Sequence, residues 1–203
     1  MSWRWDDYTT SPRCAEFGIA SPSGKDWTGL VANKIVEGMN SAGTEESALG
    51  EIVVRIMEPE DEKAADEVWA TALETLRETY RTTPGFLDGW TAPSEITRVV
   101  ALLDGRVVGT IKYYTEDDRL HIMCFGIHSD FRGQGVGRRM LEFLSGIARS
   151  RGFRCISVYT IGETGNTPIY QRLGFEVISE EPAKWAESDK YGNLTDVYFE
   201  KSL

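Results

Sequence analysis

Apolar residues along the chain recur with a period near three and a half in some segments and of two in others. That alternation predicts most of the secondary structure. After Asp26, a residue type suited to an N-cap, Trp27, Leu30, Val31, Ile35 and Met39 fall at helical spacing. Residues 41–50 lose the pattern and read as a linker. Residues 51–56 form a short strand pattern, closed by the acidic turn Glu58-Pro59-Glu60-Asp61. The next segment places Ala65, Val68, Trp69, Ala72, Leu73, Leu76 and Tyr80 on one helical face. Residues 82–94, with glycine, proline and Trp90, predict a loop. Strand patterns at 96–103 and 106–114 flank Asp104-Gly105, a hairpin signal, and a turn at 116–118 leads into a third strand, 119–127. Val136, Met140, Leu141, Leu144, Ile147 and Ala148 then share one helical face that Gly152 ends. Residues 155–160, 175–179 and 194–200 are the closing strands. The last alternates Leu194, Asp196 and Tyr198 with Thr195, Val197 and Phe199. The chain divides into an extension, 1–50, and a main domain, 51–203.

Between the third strand and the helix after it lies Phe131-Arg132-Gly133-Gln134-Gly135-Val136-Gly137-Arg138-Arg139. A glycine-rich turn there lets several backbone N–H groups converge. The first amides of a helix have no intrahelical partners, and the helix dipole adds partial positive charge. Together they suit a phosphate or diphosphate. A dinucleotide fingerprint would require glycine at its sixth position, where Arg138 stands, and no Gly-Lys-Ser/Thr is present for a P-loop. A second segment, Asn166-Thr167-Pro168-Ile169-Tyr170-Gln171-Arg172-Leu173-Gly174-Phe175, follows the strand at 155–160.

These two segments carry a family resemblance. Arg132-x-x-Gly135-x-Gly137 resembles the R/Q-x-x-G-x-G/A loop with which GNAT acyltransferases bind the pyrophosphate of acetyl-CoA. The second segment resembles the C-terminal GNAT signature, in which Asn precedes a short helix carrying Tyr and then Leu-Gly-Phe. The resemblance covers residues 51–203. One departure is visible: Tyr170 follows Asn166 by four positions, with Pro168 between, where many members have a longer spacer. The implied fold is α/β (α+β): a mixed, mostly antiparallel sheet of six or seven strands, helices on both faces, and a splayed central strand pair.

Length and composition suit one domain of ordinary size plus an extension. The chain has 203 residues, 41% of them hydrophobic, enough for a core. Its formal net charge of −10 makes nucleic acid and anionic membrane unexpected partners. Charge is uneven, however: residues 132–154 hold six arginines and one acid, Glu142. That excess fits an anionic ligand, although a solvated helix face explains Arg149 and Arg151 equally well. Cys14, Cys124 and Cys155 lack metal-ligand spacing, and with His121 and His128 as the two histidines no metal site is expected. Cys124 and Cys155 read as buried thiols. The odd cysteine count and lack of a secretory signal predict a cytoplasmic protein. The extension's tryptophans leave two packing partners open, the main domain or a second subunit of a homodimer.

The resemblance also implies site residues. The pantetheine arm of acetyl-CoA, the cosubstrate, would enter between strands 119–127 and 155–160 and pair with backbone of Phe125, Gly126 and Ile127. Gly126 would mark a bulge that starts the splay. Arg132, Gly133, Gln134, Gly135, Val136, Gly137 and Arg138 would hold the diphosphate, with Asn166 and Tyr170 completing the cofactor site. Tyr170 would protonate the leaving thiolate. His121 falls where some histone-modifying relatives carry a glutamate base; imidazole can take a proton near neutral pH. Strict alternation puts His121 on the side of Met123, Phe125 and Ile127. Glu163 is a second candidate base, and His128 reads as structural. Trp90, Tyr113, Tyr114 and Tyr159 either line the acceptor pocket or fill the core. The expected acceptor is a small-molecule amine. Two other readings stay open, an idle module that binds acyl-CoA as sensor or scaffold, and an acyltransferase with another acyl donor.

Overall fold

A computed structural model describes residues 50–84 and 93–203. The predicted extension, apart from Gly50, lies outside the described residues, as do Cys14 and Trp90. The domain opens with β1 (Ile52–Ile56), a 3₁₀ turn at Pro59–Asp61 and α1 (Glu62–Arg77), and then β2 (Arg81–Thr82). β3 (Thr97–Leu103) and β4 (Arg106–Glu116) make the expected hairpin. Its turn residues Asp104 and Gly105 both take positive φ, 50° and 76°, as a two-residue turn matched to strand twist requires. β5 (Arg119–Ile127), α2 (Val136–Ser150), β6 (Cys155–Ile161), α3 (Thr167–Arg172), β7 (Glu176–Pro182), β8 (Ala186–Glu187) and β9 (Thr195–Ser202) follow. Gly152 closes α2 in a left-handed turn, with the Phe153 N–H donating to Ala148 O at 3.0 Å.

Seven strands form one sheet in the order β1-β3-β4-β5-β6-β9-β7. Neighbours are antiparallel except β5 and β6, which α2 connects in parallel. Each face has its own core. On one, Val136, Met140, Leu141, Leu144, Ile147 and Ala148 of α2 pack on Val99, Ile111, Leu120, Ile122, Val158 and Phe199. These are the helical positions that the 3.6-residue spacing selects, and each large side chain buried there contributes about 1.5–3 kcal/mol. On the other face, Trp69, Ala72 and Leu73 of α1 pack on Tyr114, Met123 and Cys124. Tyr113 and Tyr114 thus point to opposite sides; Tyr113 fills the α2-side core.

β5 departs from regular pairing at one point. Lys112 pairs with Cys124 and Tyr113 with Ile122, so Met123 is an extra, bulged residue. The bulge is therefore not at Gly126, which pairs regularly with Thr110. Gly126 serves packing instead: a Cβ there would lie 3.2 Å from Ala72 Cβ and 3.3 Å from Trp69 Cε3. The extra residue also resets the alternation. Leu120, Ile122, Phe125 and Ile127 belong to the α2 side, whereas Met123 and Cys124 lie under α1. His121 stacks on Tyr114 and so shares its face with Met123, not with Phe125 and Ile127 as unbroken alternation predicted.

A small second sheet was not expected from the sequence. β2 pairs with β8, and Arg81 donates to Glu187 at 2.9 Å and to Asp189 at 2.7 Å. The Thr83 N–H continues the contact, donating to Trp185 O at 2.8 Å. This staple brings the start of the 82–94 segment against the β7–β9 connection.

Candidate active site

β5 and β6 pair through four residues, from Arg119↔Cys155 to Ile122↔Val158, and then part. Both strands continue, β5 to Ile127 and β6 to Ile161, with no pairing between them. Met123 sits immediately beyond the last pair. A bulge bends and overtwists its strand, and here that turns β5 away from β6. The result is the expected splayed pair: a gap bordered by residues 123–127 on one side and 159–161 on the other.

The glycine-rich loop lies where β5 hands over to α2. Gly133 and Gly135 take φ of 77° and 83°, conformations that disfavour any side chain. Gly137 has a different reason to be glycine: a Cβ would come within 3.0 Å of Ile127 Cδ1 and 3.2 Å of Phe125 Cζ. Its absence lets the helix start close against the gap-lining end of β5. Arg139 is the first residue of the helix whose N–H finds a backbone acceptor, Gly135 O at 3.1 Å. Among the described residues the amides of 133–138 donate to no backbone carbonyl. Six consecutive N–H groups at a helix start, with the exposed Arg132, Arg138 and Arg139 beside them, match the donor set a diphosphate demands. Two side chains brace the loop: Arg132 Nε donates to Ile127 O at 3.2 Å, and Gln134 Nε2 to Asp130 O at 2.8 Å. His128 caps the preceding 3₁₀ turn, its Nδ1 accepting the Asp130 N–H at 3.4 Å, which agrees with a structural part.

The second motif closes the gap from the β6 side. Asn166 Nδ2 donates to Thr160 Oγ1 at 3.3 Å, and Thr164 Oγ1 donates to Ile161 O at 2.6 Å. Asn166 thereby fixes the start of α3 to the splayed end of β6. Tyr170 projects from α3 into the α2-side core, its ring 5.6 Å from Phe175 and 5.3 Å from Phe199. Burial pushes its phenol well above the usual range, and the Cys124 thiol of β5 adds to the shift. Its hydroxyl has no hydrogen-bond partner among the described residues.

On the α1 face, a file of polar and aromatic side chains runs along the same strands. His121 and Ser157 are cross-strand neighbours joined by an Nδ1···Oγ hydrogen bond of 2.5 Å. Burial first, and the nearby Arg119 charge second, hold the imidazole down at about 4, so it is neutral at physiological pH. Ser157 pairs with Glu200, Tyr159 with Tyr198, and Ile161 with Asp196. Tyr198 donates to Glu200 at 2.8 Å, and the tyrosine rings of 159 and 198 lie 4.6 Å apart. Tyr159 is half-buried beside the gap. Glu163 is tied to β9, its two oxygens accepting the N–H and the hydroxyl of Thr195 at 3.0 and 3.1 Å.

Asp196 escaped the sequence reading. It is 8% exposed, and Oδ2 accepts the Trp185 indole N–H at 3.0 Å. Burial raises its carboxyl above the usual range, against the lowering effect of that hydrogen bond. The one available signal was an aspartate between apolar positions of an alternating strand. Cys124 and Cys155 are buried thiols outside any disulfide, as expected. Among the described residues no His, Cys, Asp and Glu cluster is arranged to hold a metal ion. No helix among them is long and apolar enough to cross a membrane.

Comparison with known proteins agrees with the geometry. The Acetyltransferase (GNAT) family model matches residues 59–175. A curated relative, "Probable N-acetyltransferase camello" of Xenopus tropicalis, is 31% identical over 81 residues, or 38% of this chain; the match spans 37% of that protein's length. A GCN5-related N-acetyltransferase from Kribbella flavida superposes with a TM-score of 0.57 at 24% identity, covering 75% of this chain and 98% of its own. A protein provisionally called a streptothricin acetyltransferase, from Bacillus anthracis and in complex with acetyl coenzyme A, gives a TM-score of 0.57 at 13% identity over 75% and 99% of the two chains. The family match spans the glycine loop, the parted strands and the Asn166–Tyr170 segment, and this chain belongs to the GNAT family of acetyltransferases.

Proposed function

We propose that the chain is an acetyl-CoA-dependent N-acetyltransferase that moves the acetyl group to a primary amine of a small molecule by direct attack on the thioester. One observation carries this reading: the free amides of 133–138 open beside the same gap at which β5 and β6 stop pairing. A diphosphate held at the loop directs the pantetheine arm between residues 123–127 and 159–161, where unpaired strand edges offer it backbone partners. A backbone N–H of that edge is also placed to receive the developing oxyanion. Tyr170, kept protonated by burial, supplies the proton for the departing thiolate. His121 is neutral and faces the α1 side, and it accepts the proton of the incoming ammonium directly or through water. Its low basicity fits relay through water better than full proton storage.

Thiol release from acetyl-CoA in the presence of a panel of amines tests the proposal. Amine-dependent release, with thermal protection by CoA, is the expected outcome. CoA protection without any turnover, unchanged by Tyr170→Phe, would instead support an idle acyl-CoA-binding module.

A further inference from the structure

The helix that carries Tyr170 is too short to hold its own position. α3 has six residues, less than two turns, and a helix of that length is not stable in water without outside contacts. Its placement comes from what grips its ends. At the start, Asn166 Nδ2 donates to Thr160 Oγ1 of β6 at 3.3 Å. At the end, the Leu173 carbonyl, which the helix itself leaves without a donor, accepts Lys201 Nζ at 2.9 Å. Lys201 stands on β9, 28 positions further along the chain. An ammonium there also meets the negative end of the helix dipole. The turn after α3 accommodates the contact. Gly174 takes a φ of 87°, and the Phe175 N–H returns to Tyr170 O at 3.0 Å. A Cβ on Gly174 would collide with Lys201 Nζ, so glycine leaves room for the ammonium as well as allowing the left-handed turn.

One face of β9 supplies both the tie and the packing. Lys201 and Phe199 lie two positions apart, cross-strand from Ile156 and Val158, and Phe199, Ile156 and Val158 belong to the α2-side core. Phe199 meets the Tyr170 ring at 5.3 Å. The Tyr170 phenol is close enough to the Cys124 thiol, on the gap-bordering stretch of β5, for the two to interact electrostatically. Held only at Asn166, a six-residue helix can tilt about its start and carry the hydroxyl out of reach. A proton donor has to stay within hydrogen-bond distance of the atom it serves.

We propose that Lys201 is a positioning residue for acetyl transfer: by holding the C-terminal end of α3, it keeps the Tyr170 hydroxyl where the departing thiolate takes its proton. The inference rests on Tyr170 as the general acid, and the test separates the two. Full-length wild type, Lys201→Met, Lys201→Arg, Tyr170→Phe and the double variant Lys201→Met/Tyr170→Phe are compared. Thiol release from acetyl-CoA is measured with n-butylamine, 2-phenylethylamine, spermidine and glycinamide, using for the variants the amine that wild type turns over fastest. Lys201→Met should lower kcat about tenfold, with CoA affinity by calorimetry within about twofold. Lys201→Arg, which keeps a donor, should recover most of the loss. In the Tyr170→Phe background, Lys201→Met should change kcat by less than about twofold, because the group it positions is gone. Amides of residues 167–173 should exchange about fivefold faster in Lys201→Met while those of α2 keep their rates. Unchanged exchange at 167–173, an unchanged kcat, or a full loss that persists in the Tyr170→Phe background overturns the assignment of Lys201. If Lys201→Met does not fold, Lys201→Gln replaces it with the same expectations. Full turnover by Tyr170→Phe, or no turnover by wild type, overturns the underlying reading and this assignment with it.

Discussion

His121 and Ser157 face each other across β5 and β6, one pair before the strands part, joined at 2.5 Å through Nδ1 and Oγ. Ser157 is fully buried and Tyr114 stacks on the ring at 4.9 Å, so the imidazole sits in a tight, largely dry frame. The unfolded chain binds a proton at a pH near 6.5, the folded chain only at about 4. Between those values the unfolded state holds more protons, and stability therefore rises with pH. Acidification from pH 7 to 4.5 should cost wild type on the order of 2 kcal/mol more than it costs His121→Gln. Denaturant melts at several pH values measure the difference; parallel curves would mean that the histidine is not held neutral.

Tyr170 offers a second pH prediction. Burial raises its pKa, so the phenol keeps its proton to higher pH than a free tyrosine. Turnover should show no alkaline fall from this group below about pH 10. Tyr170→Phe should lower kcat about 10²- to 10⁴-fold while CoA affinity, read by calorimetry, changes little. Equal losses in both would make Tyr170 a binding residue.

The loop glycines should separate by cause. Gly135 has open space around its Cβ position but a φ of 83°, so Gly135→Ala should cost about 1–2 kcal/mol of stability through backbone strain. Gly137 has the tight contacts with Phe125 and Ile127. Gly137→Ala should push those side chains toward the gap and raise the KM for acetyl-CoA more than it lowers the Tm. Paired melts and kinetics on the two variants distinguish strain from obstruction.

Arg132 braces the loop against Ile127 O. Arg132→Ala removes the brace and a positive charge beside the free amides. The KM for acetyl-CoA should rise about tenfold, and part of that rise should vanish at high salt, where an exposed charge is screened. A salt-independent change would leave only the brace.

Much of this domain was legible in the residue pattern. Asp104-Gly105 announced its hairpin, and the α2 face from Val136 to Ala148 is the face that is buried. Both segments that carried the resemblance flank the gap. What escaped the pattern had no local signature. The bulge at Met123 requires no special residue type, so the strand read as unbroken and His121 was set on the wrong side. β2 and β8 are two residues each, too short for periodicity, and the Arg81–Glu187 pair joins positions 106 apart. Nothing local in the alternation of residues 194–199 shows that the Trp185 indole meets Asp196.

Met123 also divides the labour of one strand. Upstream of it, β5 turns His121 toward Tyr114 on the α1 face; downstream, Phe125 and Ile127 look toward α2. Deleting that single residue would restore simple zigzag geometry and rotate one half relative to the other. His121 would then leave the face it shares with Tyr114 or Phe125 and Ile127 would leave α2, while every residue credited with chemistry was still present.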